Sequence, residues 1–475
     1  MSKKFSQVFW VANSVELLER LAYYAVFIVL TIYLSNVWGF SDAEAGIISG
    51  LFSAFLYLLP AFMGAYADKI GFRSSIILAF SLLTVGYFGL GIIPTLLESS
   101  GLVSYGYGNG TDSIFSFTLQ QKGWVEYGTQ TVFSGLEYSV LRWTIVPILL
   151  LLVVGGAFIK AVISGTIARE TSSENRARGY ALFYMMVNIG AFTGKTVVDP
   201  LRKAMGDSGL VYLNYFSASM TFIALIAVYF LYKSAQTQGQ GKSFSELWHS
   251  LAKVCCNVRL LVLILIVSGF WVVQQQMYAT MPKYVLRMIG EGASPAWYAN
   301  VNPFIVFILV NIVTSIMKKR KAIHSMVIGM FIIPISALVM ACGNLIQSDA
   351  VLGMHPVAFM MIVGIAIQAI AECFISPRYF EYFSLQSPKG EEGLYLGFSQ
   401  LHSFFSSLIA FISSGFLLER FCPDPKLFAS QEAYAEATAN AHYIWYVFVG
   451  VGLISSIALL IYSKVTNSMD KKLSA

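Results

Sequence analysis

The sequence predicts an all-α integral membrane protein with twelve transmembrane helices in two six-helix bundles. Three observations carry that expectation. Of the 475 residues, 57% are hydrophobic and only 12% charged, whereas soluble globular chains carry about 25% charged residues. Apolar runs long enough to cross a bilayer, which takes about 20 residues of helix, follow one another with short polar stretches between them. One polar stretch without a long apolar run, 234–257, contains Gln-Gly-Gln-Gly-Lys and leaves halves of comparable length on either side, 1–233 and 258–475.

The first half is expected to hold spans near 8–34, 44–67, 75–97, 143–168, 178–199 and 213–232, and the second near 258–281, 297–317, 323–345, 357–384, 393–419 and 442–464. Lys and Arg punctuate the ends of these runs: Lys3 and Lys4 precede the first, Lys69 and Arg73 separate the second from the third, Arg169 follows the fourth, and Lys318-Lys319-Arg320-Lys321 stands between the eighth and ninth. With the N-terminus placed inside, twenty basic residues fall on inner segments and nine on outer ones, the latter including Lys195, Arg202 and Lys203. That asymmetry predicts both termini in the cytoplasm. The net charge of +6 is therefore a topology signal, and no basic domain that would bind nucleic acid is present.

Other signals are excluded on spacing. The five cysteines and five histidines form no pattern of a disulfide framework or metal site. Charges at Glu16, Glu19 and Arg20 rule out a cleavable signal peptide as the reading of the first apolar run. Gly190-Ala-Phe-Thr-Gly194-Lys195-Thr196 has three residues between its glycines where a phosphate loop needs four, and no strand precedes it. The longest loop, 98–142, carries a glycosylation sequon at Asn109-Gly110-Thr111 but no enzymatic signature. No enzyme and no cofactor are expected.

The informative residues are charges inside apolar runs. Glu16, Glu19, Arg20, Tyr23 and Phe27 fall at spacings that share one helical face. Each charge at mid-membrane costs on the order of 2.5–3.5 kcal/mol, so this face must look into protein or a watery cavity. It either locks the first span to its neighbours by ion pairing or carries a proton, since one arginine compensates one of two carboxylates. Lys160 in the fourth span either snorkels to the surface or faces the interior. Glu372 in the tenth lies too deep to snorkel. A Lys160–Glu372 contact would bridge the two halves and could be made and broken during rocking.

With these residues the chain resembles the proton-dependent oligopeptide transporter family of the major facilitator superfamily, over both halves. Glu16-Leu-Leu-Glu19-Arg20-Leu-Ala-Tyr23-Tyr24 is similar to that family's first-helix signature, with Leu21 in place of Phe. Gly64-Ala-Tyr-Ala-Asp68-Lys-Ile-Gly71-Phe-Arg73 resembles the general facilitator motif, and Tyr57 falls where the family has a substrate-facing tyrosine. Lys160, with Ala161 replacing a usual proline, Phe183-Tyr184-Met-Met-Val-Asn188-Ile-Gly190, Asn300-Val-Asn302-Pro303, and Glu372 with Ser376-Pro377 follow in the family's order.

The resemblance implies a major facilitator fold and a proton-coupled symporter importing di- or tripeptides or peptide-like solutes by alternating access. The proton is the coupling ion. It implies proton coupling by Glu16, Glu19, Arg20 and Glu372. Substrate binding would fall to Tyr23, Tyr24, Tyr57, Lys160, Asn188, Trp271, Gln275, Asn302, Glu372 and Ser376, and the conformational motif to Gly64, Asp68, Gly71 and Arg73. A monomer in the cell membrane, surrounded by lipid, is expected. Two departures stand out: Phe27 and Gln275 occupy positions where peptide transporters often have an arginine and a glutamate. Losing both is coherent, because losing one would leave a buried charge unpaired, and it opens the alternative of a non-peptide organic or anionic solute. A non-transporting receptor or membrane enzyme is the remaining class of reading, without a catalytic constellation to support it.

Overall fold

The computed structural model describes residues 5–101, 117–119, 125–127, 139–171, 175–233, 245–246, 248, 257–386, 397–428 and 430–473. Among them, ten helices are long and apolar enough to cross a membrane, and two bent helix pairs each supply one further span, giving twelve. The chain divides into two compact units, the first ending at Leu247 and the second beginning at Trp248. Most of the 234–257 linker and the sequon at 109–111 lie outside the described residues.

The first unit holds α1 (Gln7–Phe27), α2 (Leu30–Asn36), α3 (Asp42–Leu58), α4 (Pro60–Ile70), α5 (Phe72–Ser99), α6 (Ile145–Glu170), α7 (Arg176–Met205) and α8 (Asp207–Leu231). Ser6 caps α1 by accepting a hydrogen bond from the Phe9 amide at 3.1 Å. The first span is not one rod: α1 and α2 meet at 47°, where the Val29 amide bonds back three residues to Val26 at 3.2 Å. The second span breaks at Leu59–Pro60, because a proline offers no amide and its ring crowds the preceding turn. Ser41 and Glu44 form a capping box at the head of α3. Gly71, between α4 and α5, has φ +87°, a left-handed conformation that favours glycine. In the 98–142 loop, β1 (Phe117–Leu119) and β2 (Val125–Tyr127) pair antiparallel.

Close packing of α1 on α7 sets the charged face of the first span. A Cβ at Gly190 would stand 2.7 Å from the Leu17 carbonyl oxygen, and one at Gly194 would stand 2.4 Å from that of Leu21. This small-residue spacing lets the two backbones touch. The glycines that mimic a phosphate loop in sequence thus serve helix packing.

The second unit holds α9 (Val258–Gln274), α10 (Gln276–Ala279), α11 (Met281–Ile289), α12 (Pro295–Ala299), α13 (Val301–Met317), α14 (Ala322–Cys342), α15 (Pro356–Gln386), α16 (Leu401–Phe421), α17 (Gln431–Thr438) and α18 (Tyr443–Leu473). The seventh span is interrupted at Gln275, which stands between α9 and α10. Gly329 of α14 lies so close to α15 that a Cβ there would come within 2.7 Å of the Ala371 carbonyl oxygen. That contact fixes the stretch of α15 carrying Glu372.

Candidate functional site

In each unit a cluster of polar side chains gathers around residues singled out in the sequence. In the first, Glu16, Glu19, Arg20, Tyr23 and Phe27 are all buried, as the shared face requires. Arg20 Nε lies 3.1 Å from a Glu16 oxygen and 2.5 Å from a Glu19 oxygen. These are charge contacts, since the N–H vector is aligned with neither carboxylate. Above the arginine, aromatic rings continue along the helix. The guanidinium carbon is 5.4 Å from the Tyr23 ring centre, Tyr23 meets Tyr24 edge-on at 5.1 Å, and Phe27 stacks on Tyr23 at 4.9 Å.

Lys160 does not snorkel. Its ammonium sits 3.8 Å from the centre of the Tyr57 ring and donates to the Leu56 carbonyl at 3.3 Å. The cation–π contact and one carbonyl hold it where it feels the charges of Glu16, Glu19 and Arg20. The structure therefore brings Tyr57 of α3 to Lys160 of α6. Asn188 is not tied to this cluster by a hydrogen bond: its Nδ2 donates to Tyr184 of its own helix at 2.8 Å.

In the second unit the centre is Glu372. One of its oxygens accepts from Asn302 Nδ2 at 3.0 Å and from Gln274 Nε2 at 2.9 Å. Gln274 was missed in the sequence, where the family position pointed one residue on. Gln275 is buried in the break after α9, and its Oε1 has no hydrogen-bond partner. Trp271 lies tilted against His402 at 5.2 Å, and Tyr379 meets the same imidazole edge-on at 4.9 Å. Both imidazole nitrogens are engaged, Nδ1 with the Ser399 carbonyl at 2.6 Å and Nε2 with the Ser403 hydroxyl at 3.0 Å. Ser376, one turn beyond Glu372, is half-buried.

The facilitator motif takes structural roles in the first unit. Asp68 pairs with Arg169 at 3.1 Å. Arg73 donates to the carbonyls of Tyr229 and Tyr232 at 2.7 and 3.1 Å, capping the end of α8. Gly64 allows α4 to approach Ala161 of α6, where an added Cβ would stand 3.3 Å away. One expectation needs correction. Lys195, Arg202 and Lys283 stand among the outer-segment charges of the sequence reading, yet all three are buried, the first two in α7, which runs on to Met205, with Asp199 3.7 Å from Arg202, and the third in α11. Lys195 lies 5.5 Å from the Tyr24 ring centre.

Comparison with known proteins agrees with this architecture. The Major Facilitator Superfamily model matches residues 14–350. Dipeptide and tripeptide permease B of Shigella dysenteriae serotype 1 (strain Sd197) is 23% identical over 445 residues, covering 86% of each chain. The permease of the same name from Photorhabdus asymbiotica is 38% identical, over 111 residues that span 23% of this chain and 22% of that protein. A crystal structure of the POT family transporter PepTSo superposes with a TM-score of 0.69 at 16% identity, over 98% of this chain and 99% of that one. This chain belongs to the Major Facilitator Superfamily, and within it its similarity is to the proton-dependent oligopeptide transporters.

Proposed function

We propose that this chain is a proton-coupled symporter that imports di- or tripeptides, or solutes of that shape, by alternating access. The carrying observation is the chemistry that each unit offers by itself: a half-buried lysine against an aromatic ring in the first and an amide-braced carboxylate in the second. A carboxylate end needs a cation, an ammonium end a carboxylate, and a peptide backbone needs amides. The relatives named as dipeptide and tripeptide permeases support the same reading.

Charge balance supplies the coupling. Glu16 and Glu19 against Arg20 and Lys160 sum to zero. A substrate carboxylate drawn to Lys160 leaves the cluster with one excess negative charge in an apolar surrounding, and a proton on one of the glutamates restores neutrality. Substrate and proton then enter together because neither charge is tolerated alone. Glu372, held by neutral donors, takes the substrate's ammonium. The superfamily consists of transporters, so no enzymatic step is assigned. Three of the nine outer cations, Lys195, Arg202 and Lys283, are buried, against Arg378 alone among the described inner ones, and the remaining excess of inner basic residues supports cytoplasmic termini in a cell-membrane protein. We assign a monomer, with lipid and substrate as its partners.

The test is uptake of a labelled dipeptide into proteoliposomes, with and without an inward proton gradient, by the native chain and by Glu19→Gln. The native chain should accumulate peptide only with the gradient, and the variant should lose accumulation while retaining counterflow exchange. No uptake by the native chain overturns the assignment. Phe27 and Gln275 support a second reading, transport of another organic or anionic solute; in that case an excess of unlabelled dipeptide leaves uptake of the true solute unchanged.

A further inference from the structure

The second unit contains an acceptor that no part of this mechanism uses. Gln274 is 5% exposed, and its Nε2 donates to Glu372 at 2.9 Å. Because a carboxylate only accepts, that bond fixes which end of the amide is which. The other end, Oε1, is buried and has no partner. One turn before Glu372 on α15, Gln368 is wholly buried, donates to the Val273 carbonyl at 3.3 Å, and likewise leaves its Oε1 without a partner. Two orphaned carbonyl oxygens therefore accompany the carboxylate. A buried acceptor left unmatched is unfavourable, so the stretch favours a group with several N–H donors.

We propose that Gln274 is a specificity-determining residue: its Oε1 takes a second N–H of the substrate's cationic end and makes the protein select a primary ammonium over an alkylated one. This rests on the peptide reading above and adds to it. Glu372 answers to charge, which a primary and a tertiary ammonium share. Gln274 answers to the number of N–H donors, which they do not share: three on a free amino terminus, one on an N,N-dimethylated terminus. Sites that hydrogen-bond a substrate group reject an analogue lacking it far more strongly than apolar sites reject a methyl group.

The experiment measures kcat/KM for Ala-Ala and for N,N-dimethyl-Ala-Ala in proteoliposomes, with the native chain, Gln274→Leu and Asn302→Ala. The native chain should prefer the free amine by about tenfold or more. Gln274→Leu, similar in bulk but without the acceptor, should bring the two rates to within about twofold, mostly through loss on the free amine. Asn302→Ala, which removes the other donor to Glu372 but leaves Gln274 in place, should slow both peptides and keep the ratio. A native chain that does not discriminate, a ratio that survives in Gln274→Leu, or a ratio that collapses equally in Asn302→Ala overturns the proposal. The second of these outcomes assigns the preference to bulk, and the third to placement of Glu372. If Gln274→Leu fails to reach the membrane, Gln274→Met makes the same comparison. Absence of native Ala-Ala uptake is a different failure: it removes the peptide reading, and this inference with it.

Discussion

Glu19 and Glu372 are both carboxylates sunk in apolar helices, one in each unit, and different chemistry holds them there. Glu19 shares a guanidinium with Glu16, and Lys160 acts on the same group of charges. Glu372 accepts from two neutral amides. Charges compensated by charges form a set that must be rebalanced whenever one member changes. A carboxylate braced by amides has neighbours whose charge does not depend on proton or substrate. The first arrangement suits coupling, and the second suits steady recognition.

Removing the shared cation is the sharpest way to break that contrast. Arg20→Leu leaves two buried carboxylates with no guanidinium, and breaking a buried pair costs about 3–5 kcal/mol. The expected outcome is a large loss of folded protein and a strongly lowered thermal midpoint in detergent, partly rescued by Glu16→Gln in the same chain. Full stability of Arg20→Leu would mean the first cluster is not held by charge at all. On the other side, Asn302→Ala removes one neutral donor to a carboxylate, worth about 1.5–3 kcal/mol. Its thermal midpoint should fall less than that of Arg20→Leu, and adding Glu16→Gln should bring no rescue.

The next effect concerns the packing that aims the first cluster. Gly194→Ala places a methyl 2.4 Å from the Leu21 carbonyl oxygen, a backbone atom that cannot rotate away. Overpacking of this kind costs about 1–3 kcal/mol, and it pushes α1 from α7 close to Arg20. Stability and proton-driven uptake should fall together; native uptake at reduced stability would separate the helix contact from coupling.

These elements differ in how far the sequence exposes them. The Glu16–Phe27 face is legible because a 3.6-residue period and the membrane cost of charge allow few alternatives. The twelve spans are legible for the same reason. The bends are not, since both fall inside unbroken apolar runs and Pro60 by itself does not say whether a helix kinks or ends. Gln274 hides in a run of three glutamines. Each residue turns the side chain by about 100°, and only the packed α9 shows which amide meets Glu372. Arg202 falls outside the fifth span because hydropathy ends that span near 199, whereas α7 continues to Met205 and buries it, and Lys195, within the span, is buried as well. Asn188 matches its motif in sequence, but its side chain bonds back to its own helix.

The smallest expected effect tests the contrast from outside both clusters. Asp68 and Arg169 pair at 3.1 Å with side chains 39% and 45% exposed. An exposed pair of this kind is worth about 0–1 kcal/mol, and its field is screened as the Debye length shrinks from about 10 Å at 0.1 M salt to about 3 Å at 1 M. Asp68→Asn should therefore lower the thermal midpoint slightly in dilute buffer and not at all in 1 M salt, whereas the deficit of Arg20→Leu should persist at both. The difference follows from where each charge sits: water and ions can stand in for Asp68, and nothing can stand in for Arg20 between Glu16 and Glu19. A salt-insensitive loss in Asp68→Asn as large as that of Arg20→Leu would show that the α4–α6 pair is held as tightly as the buried cluster, and the division between replaceable and irreplaceable charges in the first unit would have to be redrawn.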